Sequence, residues 1–350
     1  MLFLAGLMGM VLVGATVYVN TGEDLDDVGG DGAEAAIDEY SGQPMVSLGE
    51  VIGGTAEDEA ISGGDGLDHM NGGAGNDTLD GEAENDLLYG GDDDDTLFGG
   101  EENDTLHGDA GDDLLQGDAG DDDLYGHIGD DTIEGGIGDD HVEAGDGDDL
   151  IDGGAGDDGL LGYIGADTIV GGAGADTLFG GDGNDLLDGR EPVGGLADED
   201  VAGAGANESG ANELGEGLAG VLAPFESPLG DFLNGGDGDD VIRADAGDIV
   251  SGGEGADTLI VGAEFEDWAP DAPPPEMTDF NAAEDALVVL YDDAAPNMIW
   301  ELSLESDGED ADLTHVLLNG ARVMSVHDGG ALSLADIQLV PESAAGLLTA

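Results

Sequence analysis

The stretch "GGDGNDLLD" at residues 180–188 decides the fold. It places glycine first, second and fourth, aspartate sixth, and an aliphatic side chain eighth. The nine residues before it read "GGAGADTLF", and the nine before those "GYIGADTIV". Followed backwards, the pattern runs without slip from Gly63 to Asp188, as 14 consecutive units of nine. The sixth place is aspartate in every unit: Asp68, Asp77, Asp86, Asp95, Asp104, Asp113, Asp122, Asp131, Asp140, Asp149, Asp158, Asp167, Asp176 and Asp185. The eighth is apolar in every unit, from Met70 and Leu79 to Leu178 and Leu187. The first is glycine in 13 units, with Ala144 the exception; the fourth is glycine in 11, the exceptions being Glu84, Asp93 and Glu102. A degenerate unit, "GTAEDEAIS" at 54–62, leads in without breaking register.

The period carries a physical reading. The eighth residue is flanked by outward-facing places seven and nine, which predicts a three-residue strand with one inward side chain. Places one to six, rich in glycine and acid, predict a tight turn that needs positive φ. So short a strand cannot bury its apolar group alone, but stacked neighbours can. Alternating strand and turn gives a coil of two units, with turns on one side roughly 4.8 Å apart. Asp77, Asp95, Asp113 and Asp131 then form a column on one side, and Asp86, Asp104, Asp122 and Asp140 one on the other.

Such columns oppose folding. Like charges about 5 Å apart repel by roughly 0.8 kcal/mol in water, and by several times more where water is thin. One aliphatic per unit returns about 1.5–3 kcal/mol, against an ordering cost of about 1–2 kcal/mol for each residue. The bare chain is therefore expected not to fold, and a cation between successive turns would resolve both problems. All-oxygen donors on a glycine backbone favour calcium over magnesium. Zinc prefers cysteine or histidine. The chain has no cysteine, and its six histidines share no zinc-like spacing; they read as exposed polar side chains.

Composition narrows the partners. The formal charge is −82 over 350 residues, and Arg190, Arg243 and Arg322 are the only basic side chains apart from histidine. Nucleic acid is excluded as a direct partner, because binding it requires a basic surface. A chain this acidic often reads as disordered, but 40% of it is hydrophobic and the apolar residues are periodic.

"GGAGNDTLD" (72–80) and "GGDGNDLLD" (180–188) resemble the G-G-x-G-x-D-x-U-x nonapeptide of RTX (repeats-in-toxin, haemolysin-type) calcium-binding proteins. The resemblance implies an all-β fold: a right-handed parallel β-roll with calcium, on the order of a dozen ions, in its turns. It implies the unit aspartates as ligands, together with Asp231, Asp240 and Asp257. It also implies export by a type I secretion apparatus as an unfolded chain that folds in extracellular calcium. The family pattern is broken at 81–89, 90–98 and 99–107, where the fourth glycine is lost and a strained turn is expected. "GDAGDDLLQ" (108–116) and "GYIGADTIV" (162–170) lose only the second glycine.

The rest of the chain divides around the roll. Residues 1–19 carry no charge and are just long enough to span a bilayer. They read as a membrane anchor or a cleaved signal, although the positive n-region of a signal peptide is missing. Residues 20–53 are an acidic linker, and 54–189 the roll. Residues 190–228 lack the period and read as a flexible low-complexity insertion. The roll resumes over 229–260 through "LGDFLN", "GGDGDDVIR" and "GGEGADTLI". Between the last two, "ADAGDIVS" is one residue short, which predicts a bulge or a lost site. Five alternating segments over 261–341, with Asn319-Gly320 as a type I′ hairpin signal, predict a small antiparallel β-sandwich capping the roll. It resembles the C-terminal domain of type I secreted proteins; 342–350 form a tail.

No H-E-x-x-H, G-x-S-x-G or glycine-rich phosphate loop is present. The leading reading is a non-enzymatic, calcium-folded structural protein, extracellular or on the cell surface. An adhesive protein is the alternative, with a cell surface or polysaccharide as its partner. It would use a rank at the ninth place: Asn71, Tyr89, His107, Tyr125, Glu143, Leu161 and Phe179. A hydrolase with its activity in the C-terminal domain stands third, because His315 and His327 have no evident nucleophile partner in the sequence.

Overall fold

A computed structural model describes residues 49–190, 230–262, 273–291, 300–308, 310, 312–327, 332–341 and 343–344. The expected anchor or signal at 1–19, the linker up to residue 48, the insertion from 191 onward and most of the tail lie outside them. Among the described residues the strands form two sheets, of 14 and 12 strands. Successive strands alternate between the sheets, so that each pairs in parallel with the strand 18 residues away, as His69 with Leu87 and Met70 with Leu88. The two-unit coil follows from this register.

The strands are longer than the sequence reading allows. Thr78–Ala83 is typical: it takes places seven to nine of one unit and one to three of the next. Two positions in each strand face inward, the aliphatic of place eight and the residue of place one. The stacked aliphatics form the core. Leu79, Leu97 and Leu115 from one sheet and Leu88, Leu106 and Leu124 from the other have no solvent exposure. Each buried leucine contributes about 1.5–3 kcal/mol, and the core is continuous along the axis.

The insertion leaves the coil register intact. Thr177 pairs with Phe232 across the interruption, and the corresponding turns are joined over 55 residues rather than 18. Arginines mark the exit. Arg190 binds both carboxylate oxygens of Asp188, at 2.7 and 2.6 Å, and Arg243 reaches the same group at 3.1 Å. Burial opposes ionisation of Asp188, but the two guanidinium groups hold its carboxyl below the usual range.

The C-terminal strands do not form the separate antiparallel sandwich expected over 261–341. Glu276–Met277 and Ala321–His327 extend the larger sheet in parallel, and Ala286–Tyr291 and Ile337–Pro341 extend the smaller one. Among the described residues, antiparallel pairing is confined to Leu302–Ser306, Leu313–Leu318 and Ala321–His327. Met277, Leu287, Val316 and Val326 join the same core as the coil leucines. The physical reason is the open end: the last coil exposes unpaired strand edges, and parallel continuation covers them at once. The Asn319-Gly320 hairpin is present, with φ of 51° and 85°.

Candidate metal centre

The unit aspartates lie in two buried columns at the turns. One runs Asp68, Asp86, Asp104, Asp122, Asp140, Asp158, Asp176, Asp231 and Asp248. Each member donates its backbone N–H to Oδ1 of the next, as Asp104 does to Asp122 at 2.7 Å and Asp176 to Asp231 at 2.8 Å. The other runs from Asp77 through Asp95, Asp113, Asp131, Asp149, Asp167, Asp185 and Asp240 to Asp257 and Asp285. Every sequence-predicted site residue is in a column. Asp248 and Asp285 were missed. Asp248 serves the short unit "ADAGDIVS", where a bulge or lost site was expected: Asp231 N–H donates to it at 3.0 Å over a 17-residue step. A count from the unit's end rather than its start would have found it. Asp285 lies outside the period and left no such signal.

Each of these bonds uses one carboxylate oxygen; at Asp248 and Asp285 the other is used as well, Oδ2 accepting the Asp245 and Asn281 N–H respectively, each at 2.6 Å. Oδ2 of all 14 unit aspartates from Asp68 to Asp185, and of Asp240, is buried and has no hydrogen-bond partner among the described residues. A buried unpaired carboxylate oxygen is costly. Burial, reinforced by neighbouring carboxylates in all but Asp185 and only partly offset by the Oδ1 bonds, raises the column carboxyls from Asp86 to Asp185, and that of Asp240, above the usual aspartate range. Asp86, Asp104, Asp131 and Asp140 are pushed up to about 7 and Asp158 to about 8. The orphaned oxygens face the first-place glycines. A Cβ on Gly135 would lie 2.6 Å from Asp140 Oδ2 and 2.5 Å from the Gly153 carbonyl oxygen. Glycine at that place serves room rather than φ, and Ala144, fully buried at the same place, is the one methyl the 14 units accommodate there.

The second and fourth places need glycine for φ. Gly129 has φ of 140°, and a Cβ on it would meet the Gly111 carbonyl at 1.7 Å. Where the fourth glycine is lost, Glu84, Asp93 and Glu102 keep φ of 70°, 78° and 71°, so the expected strained turns are present. Regular turns bond the fourth-place N–H to a carbonyl of the next coil, as Gly111 to Ile128 at 3.0 Å. At Glu84 the N–H instead donates to the Glu102 carboxylate at 3.1 Å.

An all-oxygen set of buried, anionic, unpaired donors on adaptable turns fits calcium by its chemistry. It does not fit a soft transition metal.

The histidines are less uniform than the expected exposed side chains. His107 Nδ1 and His127 Nε2 are 3.0 Å apart. Burial, with His127 beside it, holds His107 below its ordinary value. His315 is buried, with Nδ1 3.0 Å from Ser325 Oγ and Nε2 3.3 Å from Asp307 Oδ2. This is the nucleophile partner that the sequence did not reveal. Ser325 is 6% exposed and His315 4%, so this pair is buried with its polar atoms satisfied, while Asp307 reaches the surface. The ninth-place rank is in register from Asn71 to Phe179. Its rings stack on one another: Tyr89 on His107 and His107 on Tyr125, each at 4.7 Å between centroids and nearly parallel. The stacked faces are turned to one another, and the ladder ends at Tyr125, whose next rung is Glu143.

A family model described as the RTX calcium-binding nonapeptide repeat (four copies) matches residues 53–88, 72–106, 89–124, 98–133, 125–160, 161–191, 229–259 and 248–263. No curated protein matches the chain. Among solved structures, the extracellular lipase LipA from Serratia marcescens is similar at 16% identity, over 75% of this chain and 40% of that one, with a TM-score of 0.19. The chain thus spans less than half of that lipase. Among the described residues no helix is long and apolar enough to cross a membrane.

Proposed function

The chain belongs to the RTX calcium-binding nonapeptide repeat family, and from that premise we propose that it is a non-enzymatic structural protein whose roll folds when calcium binds. The single observation that carries this reading is the set of buried Oδ2 atoms, in the 14 unit aspartates and Asp240, that have no hydrogen-bond partner among the described residues. Asp68 to Asp185 at nine-residue steps, with Asp231, Asp240 and Asp257, would hold the ions. Calcium, when bound, would supply positive charge to the columns and accept the orphaned Oδ2 atoms as ligands. The chain's own contribution is to space the carboxylates one strand apart and to keep the first place clear for Oδ2.

Export follows from the same physics. A chain that stays unfolded where calcium is scarce can cross a secretion channel extended, and fold outside where calcium is abundant. A type I apparatus and an extracellular or surface location are the family's expectation. The acidic surface left after binding keeps the folded protein soluble.

The test is far-UV circular dichroism of the full chain in chelator, titrated with calcium and, separately, with magnesium. A coil spectrum that turns to β with calcium alone supports the reading. A β spectrum at neutral pH in excess chelator refutes it, because the columns would then not be the obstacle.

A further inference from the structure

The outer face of the 14-stranded sheet carries an open groove of about 240 Å³ that the aspartate columns do not use. Tyr125, His127, Glu143, Asp146 and Tyr163 line it. It opens where the ring ladder ends: beyond Tyr125 the next rung is Glu143. Glu143 is fixed from two sides. The Tyr163 hydroxyl donates to its Oε2 at 3.2 Å, and His141 Nε2 lies 3.2 Å from its Oε1. Two of the walls go against the repeat. His127 and Tyr163 occupy the second place, which is glycine in nine of the 14 units, and they hold φ of 80° and 78°. Positive φ strains a bulky side chain, and glycine escapes that strain. Glu82, Asp109 and Asp118 hold the same place with φ of 76°, 74° and 70°, but the two ring-bearing departures both fall on this groove, in the strands Asp123–Ile128 and Gly159–Ile164 that flank His141–Asp146.

We propose that this groove binds an organic ammonium group, held by the aromatic side chains of Tyr125 and Tyr163 and the fixed carboxylate of Glu143. Aromatic surface beside a carboxylate attracts a poorly hydrated cation. The field of a chain carrying −82 concentrates cations at its surface, and the arginines at 190, 243 and 322 are not among the lining residues. A neutral sugar gains nothing from that field, and a hydrated metal ion gains little from the rings.

The test uses the full chain loaded with calcium, with choline chloride as the probe and 3,3-dimethyl-1-butanol as its neutral isostere. Ionic strength is held constant with sodium chloride, and binding is read from tyrosine and histidine ring proton shifts. Choline should saturate the shifts in the millimolar range, with the isostere about tenfold weaker. Tyr163→Gly should weaken choline binding about tenfold while unfolding at the same temperature as the parent or a higher one, because glycine accepts the φ. Glu143→Gln, which keeps the shape, should weaken it likewise. A response that sodium chloride reproduces, an isostere that binds equally well, or unchanged binding in both variants would overturn the proposal. If Tyr163→Gly proves less stable than the parent, Glu143→Gln decides alone.

Discussion

Acid should replace calcium as the agent that folds the roll. In the folded chain the column carboxyls sit far above their unfolded value of 3.8, at about 7 for Asp86, Asp95, Asp104, Asp131, Asp140, Asp167 and Asp240. A carboxyl raised by folding binds its proton more tightly in the folded state. Its contribution to stability is therefore complete below the unfolded value and is lost as pH rises from about 4 through about 7. For a group at 7, lowering the pH from 7.5 to 5 restores about 2.5 kcal/mol. A few such groups approach the roughly 5–15 kcal/mol that holds an ordinary domain together. Circular dichroism in chelator should then show coil at pH 7.5 and β structure at pH 5. The acid-folded chain carries protons on its columns, so calcium added at pH 5 in a pH-stat should release on the order of ten protons per chain. Identical spectra at the two pH values, or calcium uptake at pH 5 with no proton release, would refute the account of the columns as buried, mutually repelling carboxylates.

Two further outcomes concern packing. Leu124 is fully buried in the coil stack, so Leu124→Ala should cost about 2–5 kcal/mol, read as a lower urea midpoint at saturating calcium. Gly135→Ala and Glu84→Gly should act in opposite directions in the same assay. The first forces a Cβ against the Gly153 carbonyl and Asp140 Oδ2 and should be destabilising, though not disruptive, since the coil already holds Ala144 at that place; the second relieves a φ of 70° and should raise stability by about 1 kcal/mol.

The period was legible because every coil obeys the same two demands, an aliphatic at place eight and a carboxylate at place six. Nothing competes with them locally, so the 18-residue register and both columns follow from spacing alone. Strand length was harder to read, because the second half of each strand is written in glycine, which carries no alternation. The structure shows why those residues are small: Gly135 is inward-facing and leaves its space to Asp140 Oδ2. A glycine can therefore mark a strand interior that is filled by a side chain from five residues on, and a period-two pattern cannot report it.

The C-terminal segments were legible as strands but not as partners. Alternation identifies a strand and is silent on which edge it will meet. Glu276–Met277 has two residues and no alternation at all, yet it transmits the larger sheet from Ile249–Glu254 to Ala321–His327. Its placement is decided by the unpaired edge of the coil before it, a demand that arises only once the roll exists. The same logic separates Asp248 from Asp285. Asp248 is fixed by the repeat with one residue deleted, so the column could be counted through it. Asp285 enters the column from outside the period, its Oδ1 accepting the Asp257 N–H at 3.3 Å, because the strand that follows it, Ala286–Tyr291, docks on Thr258–Val261. The smaller sheet thus carries its column one step beyond the sequence repeat, while parallel pairing in both sheets runs further than the carboxylates do.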